Sequence, residues 1–528
     1  MKKLLLLLFF AVTFCNGTYA QNPLFIQGPE GYGLASPYTE RGMIPLFKDG
    51  NDLYATTRKL DPANNVLRNY VVRINLTDDS MYVFSGISLS GTATLYSPRN
   101  FTVYQDYVFF SCASKLYRIT KSTNQIIEFL SDCDHYFISG NILLHDYWNS
   151  SATYARNLTT NTFAQVKAPD DRSIIEIGSM YEYDNSIYFW GTVSLYTGRK
   201  NGIFRYNKST GVVTSFMYVS LPNGYSEMYQ GRTEVTRINN NLVYLIKDTD
   251  YKYRYISINL ETQTLNSTFT FNTNTVYDTG LTEPFVIGNR IYLNKEGVTY
   301  SSDGVTAPEP TTLGFSGGGF GQIYNEYINY NDAVYTIRNT EAYGSEVWKT
   351  DGTVEGTQLL ADLNPGPEGA FYTSGYAKVF GNYLYFATTQ YIPGILYRCG
   401  GTAETTLPIT TPGEFTSVSG FNSYGDYIYF YGQKTDGPNG LYKLNPEEFL
   451  AVTAQKQKTL YVYPNPASDV LHISEPVEKA TVYDMAGRLV SEHDNVTQLS
   501  LAMLQAGYYL LKTTTGDNKV QNFKFIVK

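Results

Sequence analysis

The sequence predicts an all-β chain, a multi-bladed β-propeller followed by a small immunoglobulin-like β-sandwich. Three observations carry this. Tyr (49) and Gly (44) are abundant in the 528 residues while His numbers four, a balance that suits half-buried pleated surfaces and tight turns over helices. One phrase of turn, strand, loop and strand recurs along most of the chain. The tail reads as short alternating strands separated by Pro-Asn-Pro, Ala-Gly and Gly-Asp turns, the pattern of a small antiparallel sandwich.

At the N-terminus, Lys2 and Lys3 precede an apolar run from Leu4 to Phe14, and Thr18-Tyr19-Ala20 ends on a small residue. This predicts a secretory signal peptide over 1–20, its apolar part too short for a permanent membrane helix. Cys15 would suit lipid attachment only after a small residue, and Phe14 stands there instead. No later stretch is long and apolar enough to cross a bilayer as a helix, so no transmembrane segment is expected after cleavage.

Between Gln21 and about Leu450 the recurring core is a turn pair, a variable residue and an apolar-aromatic strand, as in Gly50-Asn51-Asp52-Leu53-Tyr54. Leu53, Val108, Leu143, Ile187, Val243, Ile291, Val334, Leu384 and Ile428 mark its nine occurrences, at steps of 35 to 56 residues. A second strand follows each, such as Lys115-Leu116-Tyr117-Arg118-Ile119, and then a polar turn and a third strand. Sheets of three or four strands cannot bury both faces alone. Stacked radially they cover one another, and closing the ring leaves only short protected edges. Because most propellers have four to eight blades, the expectation is one ring of seven to nine blades, centred on eight. Two smaller rings or a row of sandwiches are the structural alternatives. The predicted organisation is signal peptide 1–20, propeller 21–450, linker 451–459 and sandwich 460–528.

Charged residues make up 17% of the chain and the formal net charge is −8. No basic footprint for nucleic acid is visible. Removal of Cys15 leaves Cys112, Cys133 and Cys399, an odd number. Cys112 and Cys133 end two predicted strands and could be neighbours, while Cys399 reads as a small buried apolar residue. No pair has zinc-like spacing.

Two resemblances follow from longer motifs. Tyr461-Val462-Tyr463-Pro464-Asn465-Pro466-Ala467, Tyr483-Asp484-Met485-Ala486-Gly487-Arg488, Gly507-Tyr508-Tyr509-Leu510-Leu511 and the closing Phe523–Lys528 resemble, in order and spacing, the C-terminal sorting domain of type IX secretion cargo in Bacteroidetes-like bacteria. The resemblance implies export outside the outer membrane, with the secretion machinery and its sorting peptidase as partners. The motif residues are Tyr463, Pro464, Asn465, Pro466, Asp484, Gly487, Gly507, Tyr508 and Lys528. It leaves open release into the medium or linkage to surface polysaccharide. The stretch Gly344-Ser345-Glu346-Val347-Trp348-Lys349-Thr350-Asp351-Gly352-Thr353 is similar to the ELWxxDGT repeat of secreted bacterial propellers, with Trp348, Asp351, Gly352 and Thr353 as the repeat residues. That likeness bears on the fold.

No catalytic, cofactor-binding or metal-binding constellation is legible. A Ser-His-Asp or Cys-His site would have to use His135 or His145, since His472 and His493 fall in the tail, and neither follows a nucleophile motif. Asp106, Asp184, Asp332 and Asp426 recur at one place in the phrase, where hairpin turns favour Asp, Asn and Gly. The Tyr residues of the phrase alternate with Val, Ile and Leu as inter-blade core. Trp148, Trp190 and Trp348 fall in blade context, and burial of Trp348 between blades would make its removal cost about 3–5 kcal/mol. Two functions fit these features. One is a non-enzymatic binding or adhesion module that recognises an extracellular protein or glycan. The alternative is a secreted polysaccharide hydrolase with carboxylates in the channel. A structural surface-layer or gliding component is a third.

Overall fold

The computed structural model describes residues 23–28, 44–61, 66–85, 98–133, 135–147, 152–195, 198–220, 234–247, 253–271, 284–295, 298–311, 328–371, 376–389, 394–447, 462–463, 465–485, 487–515 and 520–528. The expected signal peptide and linker lie outside them, as do Trp148, Leu460, Tyr461, Pro464 and Ala486. The chain divides into two compact units, one of residues 21–447 and one that holds 448–528.

The first unit is a propeller whose described residues form nine four-stranded antiparallel sheets. Blades one to eight cover 44–83, 99–130, 136–166, 174–220, 234–270, 285–311, 328–361 and 376–408, each in sequential strand order. Blade nine comprises 415–444 and takes its outermost strand from Leu24–Phe25 at the other end of the chain. Each of the nine register marks lies on the second strand of its own blade, for instance Leu53 on Asp52–Asp61, Ile187 on Ser186–Leu195 and Ile428 on Tyr427–Lys434. The count therefore sits at the upper end of the expected range, above its centre of eight. No mark completes a neighbour's blade.

The marks work because a second strand is covered on both sides. Successive side chains point to opposite faces of a strand. Leu53 and Ala55 accordingly pack against Tyr429 and Leu441 of blade nine, while Tyr54 between them packs against Val108 and Phe110 of blade two. Tyr188 faces Leu242 and Tyr244 of blade five, and its neighbours Ile187 and Phe189 face Ile142 and Leu144 of blade three. All nine marks are at most 3% exposed. The core is thus a series of apolar layers between blades.

Closure rests on the short N-terminal strand. Leu24 pairs with Lys443 and Phe25 with Tyr442, the Ile26 amide donates to the Leu441 carbonyl at 2.8 Å, and the Ile26 side chain is buried with Leu53, Val72 and Leu441. Further contacts between neighbouring blades repeat around the ring. A polar side chain late on the third strand reaches the next blade just past its own third strand. Arg73 donates to the Lys121 carbonyl at 3.2 Å, Ser257 to the Gly304 carbonyl, and Lys349 to the Gly401 carbonyl at 2.8 Å. Arg398 pairs with Glu447, and Lys443 of blade nine pairs with Asp79 of blade one at 2.6 Å. The closing interface therefore carries the same contact as those inside the ring.

Cys112 and Cys133 are not joined. Cys112 packs with Tyr54 and Val108 between blades one and two, and Cys133 with Phe109 and Leu143 between blades two and three. They lie on opposite sides of blade two, both as thiols, and burial pushes the Cys112 thiol up to about 11. Cys399 is buried as well.

In the second unit, Val462–Tyr463, Val470–Asp484, Leu489–Ser500, Gly507–Thr514 and Val520–Val527 form one five-stranded sheet that folds around Leu471, Val477, Ala480, Val482, Leu499, Leu511 and Phe525. Its opening is tied to its end: the Asn465 side chain accepts from the Ile526 amide at 3.0 Å and donates to the Lys524 carbonyl at 3.0 Å. The Ala467 amide donates to the Ile526 carbonyl at 2.8 Å.

Candidate functional site

Strand direction gives the propeller two unlike faces. In a sequential antiparallel sheet, the turns from strand one to two and from three to four emerge at one end. The two-to-three loops and the crossings to the next blade emerge at the other. In all nine blades the first turn has two residues, from Gly50-Asn51 to Gly425-Asp426. Its first residue has positive φ, between 47° and 58°, which favours Gly, Asn or Asp there. The third-strand turns of blades one to eight are longer, four to seven residues, and are closed by their own side chains. Asn157 and Asn207 each accept two amides from the following Ser or Thr residues, and Asp351 accepts the Thr353 amide at 2.9 Å and its hydroxyl at 2.7 Å. This turn face contrasts with the opposite one, which carries the long connections, such as those spanning 84–98, 221–233, 271–284 and 312–327.

The turn aspartates Asp106, Asp184, Asp332 and Asp426 each sit in a two-residue turn, one per blade, on the turn face. Asp184 and Asp332 have φ of 50° and 57°, and Asp106 accepts the Ser122 amide and hydroxyl. Carboxylates near the ends of first strands are engaged by cations, Asp49 by Lys121 at 2.9 Å and Glu182 by Lys208 at 2.5 Å. Among the described residues no group of three or more His, Cys, Asp or Glu side chains could hold a metal ion.

The acids whose pKa is raised, Glu346 and Asp362, lie on the loop-face side. Glu346, in the repeat motif, is 0% exposed. One carboxyl oxygen accepts the Asn364 amide at 3.0 Å, and the other has no partner. Burial pushes its pKa up to about 7, opposed by backbone donors from 363, 364 and 370, and Asp362 raises it further. Burial raises Asp362 as well. The segment 362–371 wraps this carboxyl: the Ala370 and Phe371 amides donate to the Ser345 carbonyl at 3.0 and 3.2 Å, and the Asn364 side chain donates to the Gly369 carbonyl at 3.0 Å. A Cβ on Gly369 would lie 2.2 Å from the Ser345 nitrogen, so only glycine permits this approach.

A second group of polar side chains lies at the loop-face end of blade three. Asp146 is buried and accepts the His135 amide at 2.8 Å and the Ile177 amide of blade four at 3.2 Å. His135 Nδ1 lies 3.0 Å from the same carboxylate, with half of the imidazole side chain exposed. Next to Asp146, His145 is 0% exposed and neither ring nitrogen has a partner. Burial, aided by Arg156, pushes it down to about 4, so it is a neutral core side chain stacked on Tyr154. Sequence reasoning named both histidines but missed Asp146, whose role depends on fold contacts across blades. It also read Glu346 only as part of a structural repeat.

The three tryptophans differ. Trp190 is 7% exposed in the layer between blades four and five. Trp348 is only half-buried, with the Arg338 guanidinium 4.7 Å from its ring and Tyr343 edge-on. Val347 beside it supplies the inter-blade core. Gly352 has φ of 92°, so Asp351-Gly352-Thr353 is a turn closed by its own side chains. In the tail, Tyr463, Asp484, Gly487, Gly507, Tyr508 and Lys528 lie on strands, at their ends or in turns of the sheet, and Asp484 holds Arg488 at 2.7 Å.

Comparison with known proteins identifies the tail. Residues 461–528 match the family model described as secretion system C-terminal sorting domain. The tail is a type IX sorting domain, and the protein is exported by that route. No curated protein matches the chain. Similar solved structures include the β-propeller domain of the Trilobed protease from Pyrococcus furiosus, at 10% identity over 77% of this chain and 96% of that one, with a TM-score of 0.33. Dipeptidyl peptidase 4 of Porphyromonas gingivalis matches at 12% identity over 75% and 65%, with a TM-score of 0.40. The extracellular domain of a putative one-component system of B. thetaiotaomicron matches at 9% over 97% and 93%, with a TM-score of 0.24. The chain spans less than two thirds of the dipeptidyl peptidase and 57% of an acylaminoacyl peptidase of Pyrococcus horikoshii.

Proposed function

We propose that this exported propeller is a binding module whose loop-bearing face recognises an extracellular protein or glycan. Its route begins with cleavage of a signal peptide at 1–20 and ends at the sorting domain. The observation that carries the reading is the asymmetry of the ring. All nine first turns are held to two residues on one face, where the third-strand turns of blades one to eight stay within four to seven, while the crossings on the other face run from 131–135 to the sixteen residues of 312–327. A rigid scaffold that displays variable loops on one side is the usual basis of recognition.

The composition of those connections supports it. Residues 86–97 contain no charged side chain, and 312–327 contain one, Glu326. Tyr96, Tyr225, Tyr229, Tyr277, Tyr324 and Tyr327 are interspersed there with Gly, Ser, Thr and Asn. Tyr gives contact area at low entropic cost and the small polar residues give adaptable hydrogen bonds, as in antibody loops. The test is a glycan array and a pull-down of extracellular proteins with the exported chain. Tyr225→Ala with Tyr229→Ala, or Tyr324→Ala with Tyr327→Ala, is expected to weaken the captured ligand at least tenfold. Asn289→Ser on the turn face is expected to leave it unchanged. Loss of binding only on turn-face substitution would overturn the reading.

One observation favours a second reading, a polysaccharide hydrolase. Glu346, whose pKa burial raises to about 7, has Asp362 beside it, also raised by burial, and such chemistry uses two carboxyl groups. Complete burial of Glu346 speaks for the binding reading. Turnover of a polysaccharide that Glu346→Gln abolishes would favour the hydrolase.

A further inference from the structure

We propose that the outer face of the sorting domain's sheet, centred on Leu489 and Tyr508, is the surface on which a protein of the export machinery docks. The inference rests on the tail being a sorting domain, a module that another protein must read. Strand alternation splits its motif residues between two faces. Ala480, Val482, Leu511 and Phe525 point inward and are at most 1% exposed. Their neighbours Tyr483, Leu510 and Ile526 therefore point outward.

The register brings the outward residues together. Tyr483 lies opposite both Leu489 and Leu510, Leu510 lies opposite Lys524, and Tyr508 opposite Ile526. Segments far apart in sequence, around 483–489, 507–510 and 524–526, thus form one patch. Leu489 is 60% exposed, Tyr508 64% and Met485, at the adjoining hairpin, 63%. A contiguous apolar patch on an exported domain is a docking surface more often than an accident of composition. Lys512 and Lys524 on the same face are exposed. The partner that fits is a protein with an apolar contact area and an acidic border.

The experiment follows the full chain in its host. Leu489→Ser with Tyr508→Ser is expected to lower the amount outside the cell at least tenfold, with the chain retained behind the outer membrane and the purified variant melting as the parent does. Val520→Ser, on the same face at the far end of the Gly507–Thr514 and Val520–Val527 pair, is expected to be exported normally. If the double variant melts early, Tyr508→Glu alone carries the test, since it leaves the core untouched. Export of the patch variants at the parent level while a tail-deleted chain stays inside would overturn the docking face and leave the sorting reading intact. Export of the tail-deleted chain would instead overturn the sorting reading itself. Concentration-dependent dimers lost in a normally exported double variant would assign the face to a second copy of this chain and overturn the proposal.

Discussion

Glu346 and His145 are both fully buried, and burial favours the neutral form of each. Their effects on stability run in opposite directions with pH. Glu346 titrates near 7 when folded and near 4.3 when unfolded, so its contribution is complete below about pH 4.3 and is lost as pH rises through 7. His145 titrates near 4 when folded and near 6.5 when unfolded. Its contribution is complete above about pH 6.5 and is lost as pH falls through 4. Each is worth on the order of 3 kcal/mol at its limit. Thermal melts across pH 4–8 are expected to show Glu346→Gln flattening the alkaline limb and His145→Phe flattening the acid limb. Unchanged limbs would mean that these groups are solvated. Trp348 belongs at this scale too. Half-buried beneath Arg338, it is expected to cost about 1–2 kcal/mol on change to Ala, below the range for a fully buried ring. Denaturant unfolding checks this.

At the scale of the element, the second strand of each blade was legible because it is buried on both faces and so reads as an apolar-aromatic run after a turn. The outer strands were not. Glu309–Thr311 and Leu407–Pro408 are short and have no buried residue, and their place in a sheet is fixed by the third strand beside them. The same limit hid the polar pairs of the candidate site. His135 and Asp146 are eleven residues apart and meet only because one enters the first strand and the other leaves the second. Glu346 is buried only because 362–371 folds back over Ser345. One element-scale prediction concerns the contact between blades seven and eight. Lys349→Ala removes the donor to the Gly401 carbonyl and is expected to cost about 1–2 kcal/mol, whereas Ile187→Ala, in the layer between blades three and four, is expected to cost about 2–5 kcal/mol. Equal effects in chemical denaturation would contradict this division between the layers and their polar edges.

For the whole molecule, nine small sheets are stable because each covers the next, and the circle is completed by Leu24–Phe25 from the beginning of the chain. Nothing in those residues announces this: a two-residue strand has no periodicity, and only the vacant edge of blade nine gives it meaning. The tail's character as a sorting domain was legible because its motifs are long and ordered. The function proposed for the loop face was not, since the connections on that face carry no motif that names a ligand. Because closure uses so little chain, Ile26→Pro, which removes both the amide bonded to Leu441 and a buried side chain, is expected to lower the melting temperature of the whole propeller unit in one transition. The most direct test of the closed ring is a cysteine pair, Phe25→Cys with Tyr442→Cys, placed at positions directly opposed across the closing strand. Under mild oxidation the chain is expected to form that cross-link in full and to melt at a higher temperature than its reduced form. Failure of the two cysteines to join in the folded chain would contradict the closed nine-bladed ring.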